Sequence, residues 1–159
     1  MLIKGIKDEC FGDFKDPGML VVFPNCSFKC DKENGNQICQ NSSLAAEPNY
    51  EVPPQDIVDR YMANSITKAL ICGGLEPLDS IHDLYLLMIK FRAVSKDPIV
   101  IYTGYLEKEA DKILGFDWVK TAGNVYIKYG RFIPNKPSHF DELLGVNLAS
   151  DNQYAKYYE

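Results

Sequence analysis

The sequence predicts an α/β protein whose parallel strands alternate with helices to form a partial, open barrel. Short apolar runs alternate with segments of helical periodicity, in the order strand, helix, strand, helix, strand, helix. This order is typical of right-handed β/α units with a parallel sheet. The 159 residues suit one domain, whereas a closed eight-stranded barrel needs about 250. We therefore expect a single domain, residues 1–159, that ends in a short irregular C-terminal tail.

The strands are predicted from apolar runs that end in glycine or another turn residue. The first three are Met19–Phe23, Lys68–Cys72 and Ile99–Tyr102, and the second and third are followed by Gly-Gly and Thr-Gly. Two more short strands are predicted, Asp117–Lys120 and Val125–Tyr129. Ligands of parallel β/α proteins collect at the carboxyl ends of the strands, so we expect the site where the first three strands end.

Three helices are predicted between these strands. They are Val52–Met62 and Ser80–Val94, which have apolar residues at helical spacing, and Leu106–Leu114, which Gly115 ends. Ser80 with Asp83 resembles a capping box, which predicts the start of the second helix. Each helix connects two successive strands and so completes a β/α unit.

The composition excludes several classes of function. Aspartate and glutamate number 22 against 17 lysines and arginines, and no basic run is interleaved with aromatics, so a nucleic-acid partner is not expected. No stretch has the length of a membrane span, and the first residues lack the apolar core of a signal peptide. We expect a cytoplasmic protein that does not bind membranes. Its five cysteines favour metal binding or catalysis over disulfides.

Three of the cysteines, Cys26, Cys30 and Cys39, lie in the loop after the first strand, separated by three and then eight residues. Three thiolates on an iron–sulfur cluster leave one iron open to a substrate, which favours a catalytic site. A structural zinc site has paired cysteines two to four residues apart and four ligands. Its fourth ligand would have to be Cys10, His82, His139 or a carboxylate. Unligated thiols are the third interpretation, and the spacing leaves all three open.

The segment after the second strand has two interpretations. Gly73 and Gly74 form either a tight turn or a place where the backbone closely approaches a ligand. Glu76, taken alone, predicts a solvated loop carboxylate, but beside a cluster it could hold the amine of a bound cofactor. Cys72 is expected in the core and His82 on the surface.

Several segments together resemble the radical S-adenosylmethionine (SAM) superfamily: the cysteine loop, Gly73-Gly74-Leu75-Glu76-Pro77 and Tyr102-Thr103-Gly104-Tyr105. More narrowly, the chain resembles the family of activating proteins of anaerobic ribonucleoside-triphosphate reductase. Glu9–Gly18 is similar to that family's lead-in to its first strand, and Gly145–Gln153 is similar to its tail. The resemblance covers nearly the whole chain and implies the fold of a partial radical SAM barrel.

The cysteine loop departs from the usual superfamily pattern. That pattern has three and then two residues between its cysteines, whereas this loop inserts Asp31–Ile38 before Cys39. Asn34-Gly35-Asn36 is a turn-forming string that could return Cys39 to the cluster. The family places an aromatic residue near adenine before its third cysteine. Here Ile38 stands there, so the adenine would pack on aliphatic groups or on Phe28.

The resemblance also implies the cofactors. It places a [4Fe-4S] cluster on Cys26, Cys30 and Cys39, with the amino and carboxylate groups of SAM on the fourth iron. Glu76 would lie near the ammonium of SAM. Gly73, Gly74 and Glu76 would lie along the methionine part of SAM, and Thr103 and Tyr105 are further candidates for the cofactor pocket.

The activity implied by the resemblance is the generation of a glycyl radical. Reductive cleavage of SAM yields a 5′-deoxyadenosyl radical, which takes a hydrogen from a backbone glycine of the large catalytic subunit of anaerobic ribonucleotide reductase. A flavodoxin or a ferredoxin would donate the electron. The alternatives are a radical SAM enzyme of another specificity, such as a pyruvate formate-lyase-type activase or a small-molecule modifier, and a zinc or iron–sulfur protein without enzymatic activity.

Overall fold

A computed structural model describes all residues, 1–159, and its central element is a six-stranded mixed sheet. The ten strands are β1 (Leu2–Ile3), β2 (Gly5–Cys10), β3 (Gly18–Phe23), β4 (Tyr50–Glu51), β5 (Ala69–Gly74), β6 (Ile99–Tyr102), β7 (Val125–Tyr129), β8 (His139–Asp141), β9 (Val146–Leu148) and β10 (Tyr154–Tyr158). The five helices are α1 (Lys29–Asn34), α2 (Pro54–Ala63), α3 (Ile81–Val94), α4 (Glu107–Leu114) and α5 (Phe116–Ala122).

The sheet has the strand order β10-β7-β6-β5-β3-β2. Its four inner strands, β3, β5, β6 and β7, are parallel, while β2 and β10 are antiparallel strands at the two edges. The predicted α/β class is therefore confirmed, and the sheet does not close into a barrel. The first three predicted strands and the strand Val125–Tyr129 are present with bounds within two residues of those expected.

The helices α2 to α5 cover one face of the sheet. The side chains of α2 to α5 and of alternate strand residues form a core of 24 buried residues, among them Leu87 and Val119. A smaller core on the opposite face contains no helical residue and is formed by the strands, Phe14, and Leu144 and Leu148 near the C-terminus. Alternate residues of a strand point to opposite faces, so each inner strand contributes to both cores. The helix-free face leaves space for a cavity where the parallel strands end.

The predicted strand Asp117–Lys120 is wrong, because this segment belongs to α5. Val119 is fully buried and the ring of Trp118 packs on that of Tyr85 at a centroid distance of 4.4 Å. The amide of Phe116 donates to Oδ1 of Asp111, which fixes the start of this helix directly after α4. Tertiary contacts thus decide between helix and strand in a segment too short for its pattern to do so.

The prediction that the C-terminal tail is irregular is also wrong. The tail contains the hairpin β8–β9 and the edge strand β10, which pairs with β7 over five residues. Ala155 and Tyr158 are buried on opposite faces of the sheet, and the hydroxyl of Tyr158 lies 2.8 Å from that of Tyr129. The tail therefore completes the sheet and covers part of its helix-free face.

The capping box expected at Ser80 does not form, although α3 begins at the next residue. The hydroxyl of Ser80 instead accepts a hydrogen bond from the side chain of Asn25, and Asp83 accepts one from the amide of Leu2. Because Asn25 directly precedes Cys26, its hydrogen bond to Ser80 connects the cysteine loop to the start of α3. The longest helix, α3, has 14 residues, and none of the five is long and apolar enough to cross a membrane.

Candidate functional site

A cavity of about 520 Å³ lies on the helix-free face, at the carboxyl ends of β3, β5, β6 and β7. Its volume is typical of small-molecule sites, which span about 300–1,000 Å³. The cysteine loop forms one wall, and residues around Asn147 and Gln153 form another. Seven of the eight site residues predicted from the sequence line this cavity, namely Cys26, Cys30, Cys39, Gly73, Gly74, Glu76 and Thr103.

The three cysteines reach the cavity because the chain turns sharply after β3. Phe28 has the left-handed conformation, with φ 51°, and α1 starts directly after it. Cys26 lies before this turn, Cys30 lies within α1, and Cys39 follows the helix. The amide of Phe28 donates to the sulfur of Cys26 at 3.2 Å. All three thiols are half-buried and none forms a disulfide.

Burial governs the ionisation of these thiols. It raises the pKa of Cys26 to about 12, only partly opposed by the hydrogen bond from Phe28. Burial also raises the pKa of Cys30, against the hydrogen bond from the amide of Phe132. In the metal-free protein both groups are therefore protonated at neutral pH, and a metal that binds them must displace their protons.

Glu76 is buried at the cavity wall, with 5% of its surface exposed, so its interpretation as a solvated loop carboxylate is wrong. Its Oε2 accepts from the amide of Gly104 at 2.8 Å and its Oε1 from the amide of Leu78 at 3.1 Å. Burial raises the pKa of Glu76 to about 7, although these amides and Thr103 favour the charged form. A carboxylate poised near neutrality ionises readily when a cation is placed beside it.

Gly104 separates Glu76 from the cysteines. A Cβ atom at this position would lie 3.5 Å from Oε2 of Glu76 and 3.7 Å from the sulfur of Cys30. The missing side chain therefore leaves an open space between a carboxylate and a thiol. Gly74 differs, because its φ of 91° and a Cβ position 2.5 Å from Val22 already require glycine for the turn itself. At Gly74 the turn interpretation is thus sufficient, even though the residue also lines the cavity.

Lys128 is a site residue that the sequence reasoning missed. It lies on β7, is 8% exposed, and lines the cavity. Its ammonium donates to the carbonyl of Gly130 at 3.0 Å and has no carboxylate partner within ion-pairing distance. Burial lowers the pKa of Lys128 to about 8. The signal in the sequence is a lysine inside the apolar run Val125–Tyr129. Its apolar neighbours predict a buried strand, and lysines are almost never fully buried without a partner, so a lysine at this position indicates a special role.

Tyr105, the eighth predicted residue, lies outside the cavity lining. Its hydroxyl donates to Oδ1 of Asp79, while the other oxygen of Asp79 accepts from the amide of Ser27. The ammonium of Lys29 lies 4.1 Å from the centre of the Tyr105 ring. Tyr105 therefore supports the cysteine loop from behind and does not contact the cavity. The hydroxyl of Thr103, which lines the cavity, accepts a hydrogen bond from the amide of Tyr105. This bond connects Tyr105 to the cavity wall.

The cavity lining holds candidate ligands for a zinc ion as well as for an iron–sulfur cluster. No three histidine, cysteine, aspartate or glutamate side chains are grouped as ligands of one metal ion. A cluster differs from a single ion, because each thiolate binds a different iron and the sulfurs lie further apart. Of the candidate fourth zinc ligands, Cys10 is buried beside Asp13, His82 is exposed, and His139 bonds to the carbonyl of Gln153. None of these three lines the cavity, whereas the carboxylate of Glu76 does, so the fourth ligand of a zinc ion at this site would be a carboxylate.

Two further expectations concern residues away from the site. Cys72 is fully buried in the helix-side core, as expected. His82 is exposed on α3, also as expected.

Comparison with models of protein families, with curated proteins and with solved structures gave no match to this chain. The reasons for assigning a function therefore lie in the chain's own residues and in the cavity that they form.

Proposed function

We propose that this protein is a radical SAM activating enzyme that generates a glycyl radical on the large catalytic subunit of anaerobic ribonucleoside-triphosphate reductase. The observation that carries the proposal is the meeting of the cysteine loop, the glycine pair and Glu76 in one cavity. These segments follow different parallel strands, and ligands of such sheets bind at the carboxyl ends of the strands. Helices on one face and a cavity on the other also support a partial barrel of the radical SAM type.

Cys26, Cys30 and Cys39 are the residues that would hold the cluster. Thiolates are the ligands that iron–sulfur clusters prefer, and three of them leave one iron of a [4Fe-4S] cluster without a protein ligand. When bound there, the cluster would supply the electron, received from a flavodoxin or ferredoxin, that cleaves SAM to methionine and a 5′-deoxyadenosyl radical. The protein supplies binding, orientation and a suitable electrostatic environment.

Glu76 and Lys128 provide opposite charges at the cavity wall. The ammonium of SAM beside Glu76 would lower the pKa of its carboxyl group and hold it ionised, so the ion pair orients the amino acid part of SAM. The amides of Gly104 and Leu78 fix the carboxylate in place. The ammonium of Lys128 offsets part of the negative charge that three thiolates bring into a poorly solvated site.

Apolar side chains line part of the cavity. They are Leu20 and Val22 of β3, Ile71 of β5 and Leu148 of β9. A reactive radical needs such an environment, because water and other solvent groups would divert it before it meets its substrate.

Anaerobic reconstitution with iron and sulfide tests the proposal. After reduction and addition of SAM, the wild-type protein should form 5′-deoxyadenosine. Cys26→Ala, Cys30→Ala and Cys39→Ala should each lose this product and part of their iron. Cys72→Ala is the matched control, since Cys72 is buried in the helix-side core and should leave both readouts unchanged. A Cys30→Ala protein that keeps full iron and full SAM cleavage would show that the ligand assignment is wrong.

Electron paramagnetic resonance then tests the partner. A glycyl radical signal should appear on the large subunit of anaerobic ribonucleotide reductase when it is mixed with the reduced protein and SAM. A signal on pyruvate formate-lyase alone would assign a different specificity to the same chemistry. A cluster that forms but neither binds nor cleaves SAM would indicate an electron carrier, and bound zinc without reconstitutable iron would indicate a structural metal site.

A further inference from the structure

The eight residues between Cys30 and Cys39 form an ordered unit. The helix α1 spans Lys29–Asn34, and Gly35 ends it in the left-handed conformation, with φ 72°. The chain after Gly35 then brings Ile38 and Cys39 back beside Asp31. An insertion of this length would be free to move Cys39 away from the cavity unless specific contacts fixed its return.

Asp31 makes those contacts. Its carbonyl accepts from the amide of Gly35 at 2.9 Å, which closes the turn of α1. Its carboxylate oxygen Oδ1 accepts from the amides of Ile38 and Cys39, both at 2.8 Å. Asp31 directly follows Cys30, so a single side chain couples the backbone at Cys30 to the backbone at Cys39.

The helix that carries Asp31, α1, makes an ion pair of its own. Glu33 of α1 lies 2.8 Å from Nε of Arg131, whose side chain is 6% exposed. Arg131 in turn donates to both carboxylate oxygens of Glu109, at 2.9 and 3.0 Å. Paired contacts of this kind between an arginine and a carboxylate fix geometry as well as adding energy. The helix α1 is thus linked through an ion pair to Arg131, and through Arg131 to α4.

The other side of Cys39 is fixed as well. The side-chain amide of Asn41 donates to the carbonyl of Gly74 at 2.9 Å. This bond connects the chain after Cys39 to the glycine turn that lines the same cavity. Cys39 is therefore held from the N-terminal side by Asp31 and from the C-terminal side by Asn41.

We infer that Asp31 is a positioning residue, which places Cys39 at the cavity by holding the backbone amides of Ile38 and Cys39. The ligand that Cys39 then holds rests on the proposed function, whereas the position of Cys39 does not. The inference gives the enlarged cysteine loop a defined role: α1 carries the carboxylate that returns the third thiol to the site.

Three variants test the inference. Asp31→Ala removes both side-chain hydrogen bonds, while Asp31→Asn keeps an oxygen that can accept them and removes only the charge. Asp111→Ala is the matched control, because Asp111 also accepts a backbone amide, that of Phe116 at 3.1 Å, but lies away from the cavity. Urea unfolding establishes whether each variant folds with wild-type stability.

The first readout is hydrogen exchange of the amides of Ile38 and Cys39 in the metal-free protein, followed by nuclear magnetic resonance. Asp31→Ala should speed their exchange about tenfold or more, whereas Asp31→Asn and Asp111→Ala should leave it within about twofold of the wild type. The second readout is the rate of iron loss from the reconstituted protein to a chelator. Asp31→Ala should increase that rate about 10- to 100-fold, the usual cost of losing a group that supports a metal ligand.

Several results would overturn the inference. Unchanged amide exchange in Asp31→Ala would show that the carboxylate does not hold this backbone. Faster exchange with wild-type iron retention would show that Cys39 needs no such support. Rapid iron loss in Asp31→Asn with protected amides would make charge, and not position, the important property. If the wild-type protein takes up no cluster, the proposed function fails, while amide exchange still decides whether Asp31 positions Cys39.

Discussion

Replacing Glu76 with glutamine should remove a large part of the pH dependence of the protein's stability. Burial raises the pKa of Glu76 from 4.5 to about 7 in the folded, ligand-free protein. The stability associated with this group is therefore fully present below pH 4.5 and is lost as the pH rises through about 7. Each factor of ten in proton affinity corresponds to about 1.4 kcal/mol, so the loss amounts to about 3 kcal/mol.

Urea unfolding of the metal-free wild-type protein and of Glu76→Gln, at several values between pH 4.5 and pH 8, measures this term. Other carboxylates titrate equally in both proteins, so the difference between their free energies of unfolding isolates Glu76. Relative to its own value near pH 4.5, Glu76→Gln should gain about 3 kcal/mol over the wild type by pH 8. Parallel curves for the two proteins would refute the reasoning, because they would mean that Glu76 is ionised in the folded state as easily as in the unfolded state.

Two other substitutions test separate parts of the structure. Gly104→Ala should leave the melting temperature nearly unchanged, because its Cβ would meet only ordinary contacts of 3.5 Å with Glu76 and 3.7 Å with Cys30. The methyl group should nevertheless weaken SAM binding about tenfold in calorimetry of the reconstituted protein, and unaltered affinity would show that the space beside Glu76 is not used. Tyr129→Phe should lower the free energy of unfolding in urea by about 1 kcal/mol, since it removes the buried hydrogen bond to Tyr158. No loss of stability would contradict a stabilising role for the bond between these two hydroxyls.

The parts of the fold that the sequence predicted are those set by local pattern. Ile99–Tyr102 is a continuous apolar run, and the structure has a buried strand with the same bounds. The convergence of Cys26, Gly73 and Thr103 was predictable because the carboxyl ends of parallel strands meet at one edge of a sheet. The cofactors and the activity remain predictions until they are measured.

The remaining features depend on contacts between distant segments. The burial of Glu76 arises from its amide partners and from neighbouring segments that cover it, and its neighbours in the sequence do not indicate this. Asp117–Lys120 is helical because Val119 and Trp118 have partners in the core. The strand β10 forms because β7 offers an unpaired edge. Short segments with ambiguous periodicity take the structure that such tertiary contacts favour.

The cavity lining runs from Asp13 to Gln153, and this span has a consequence for how the protein is made. A chain that leaves the ribosome exposes the three cysteines long before β7, with Lys128, and the last residues of the wall have been synthesised. During that interval the thiols are open to oxidation and to stray metal ions. If the cavity holds the proposed cluster, delivery of iron and sulfide should therefore follow completion of the chain, and the interval to be covered is set by the time that synthesis of the last wall residues takes.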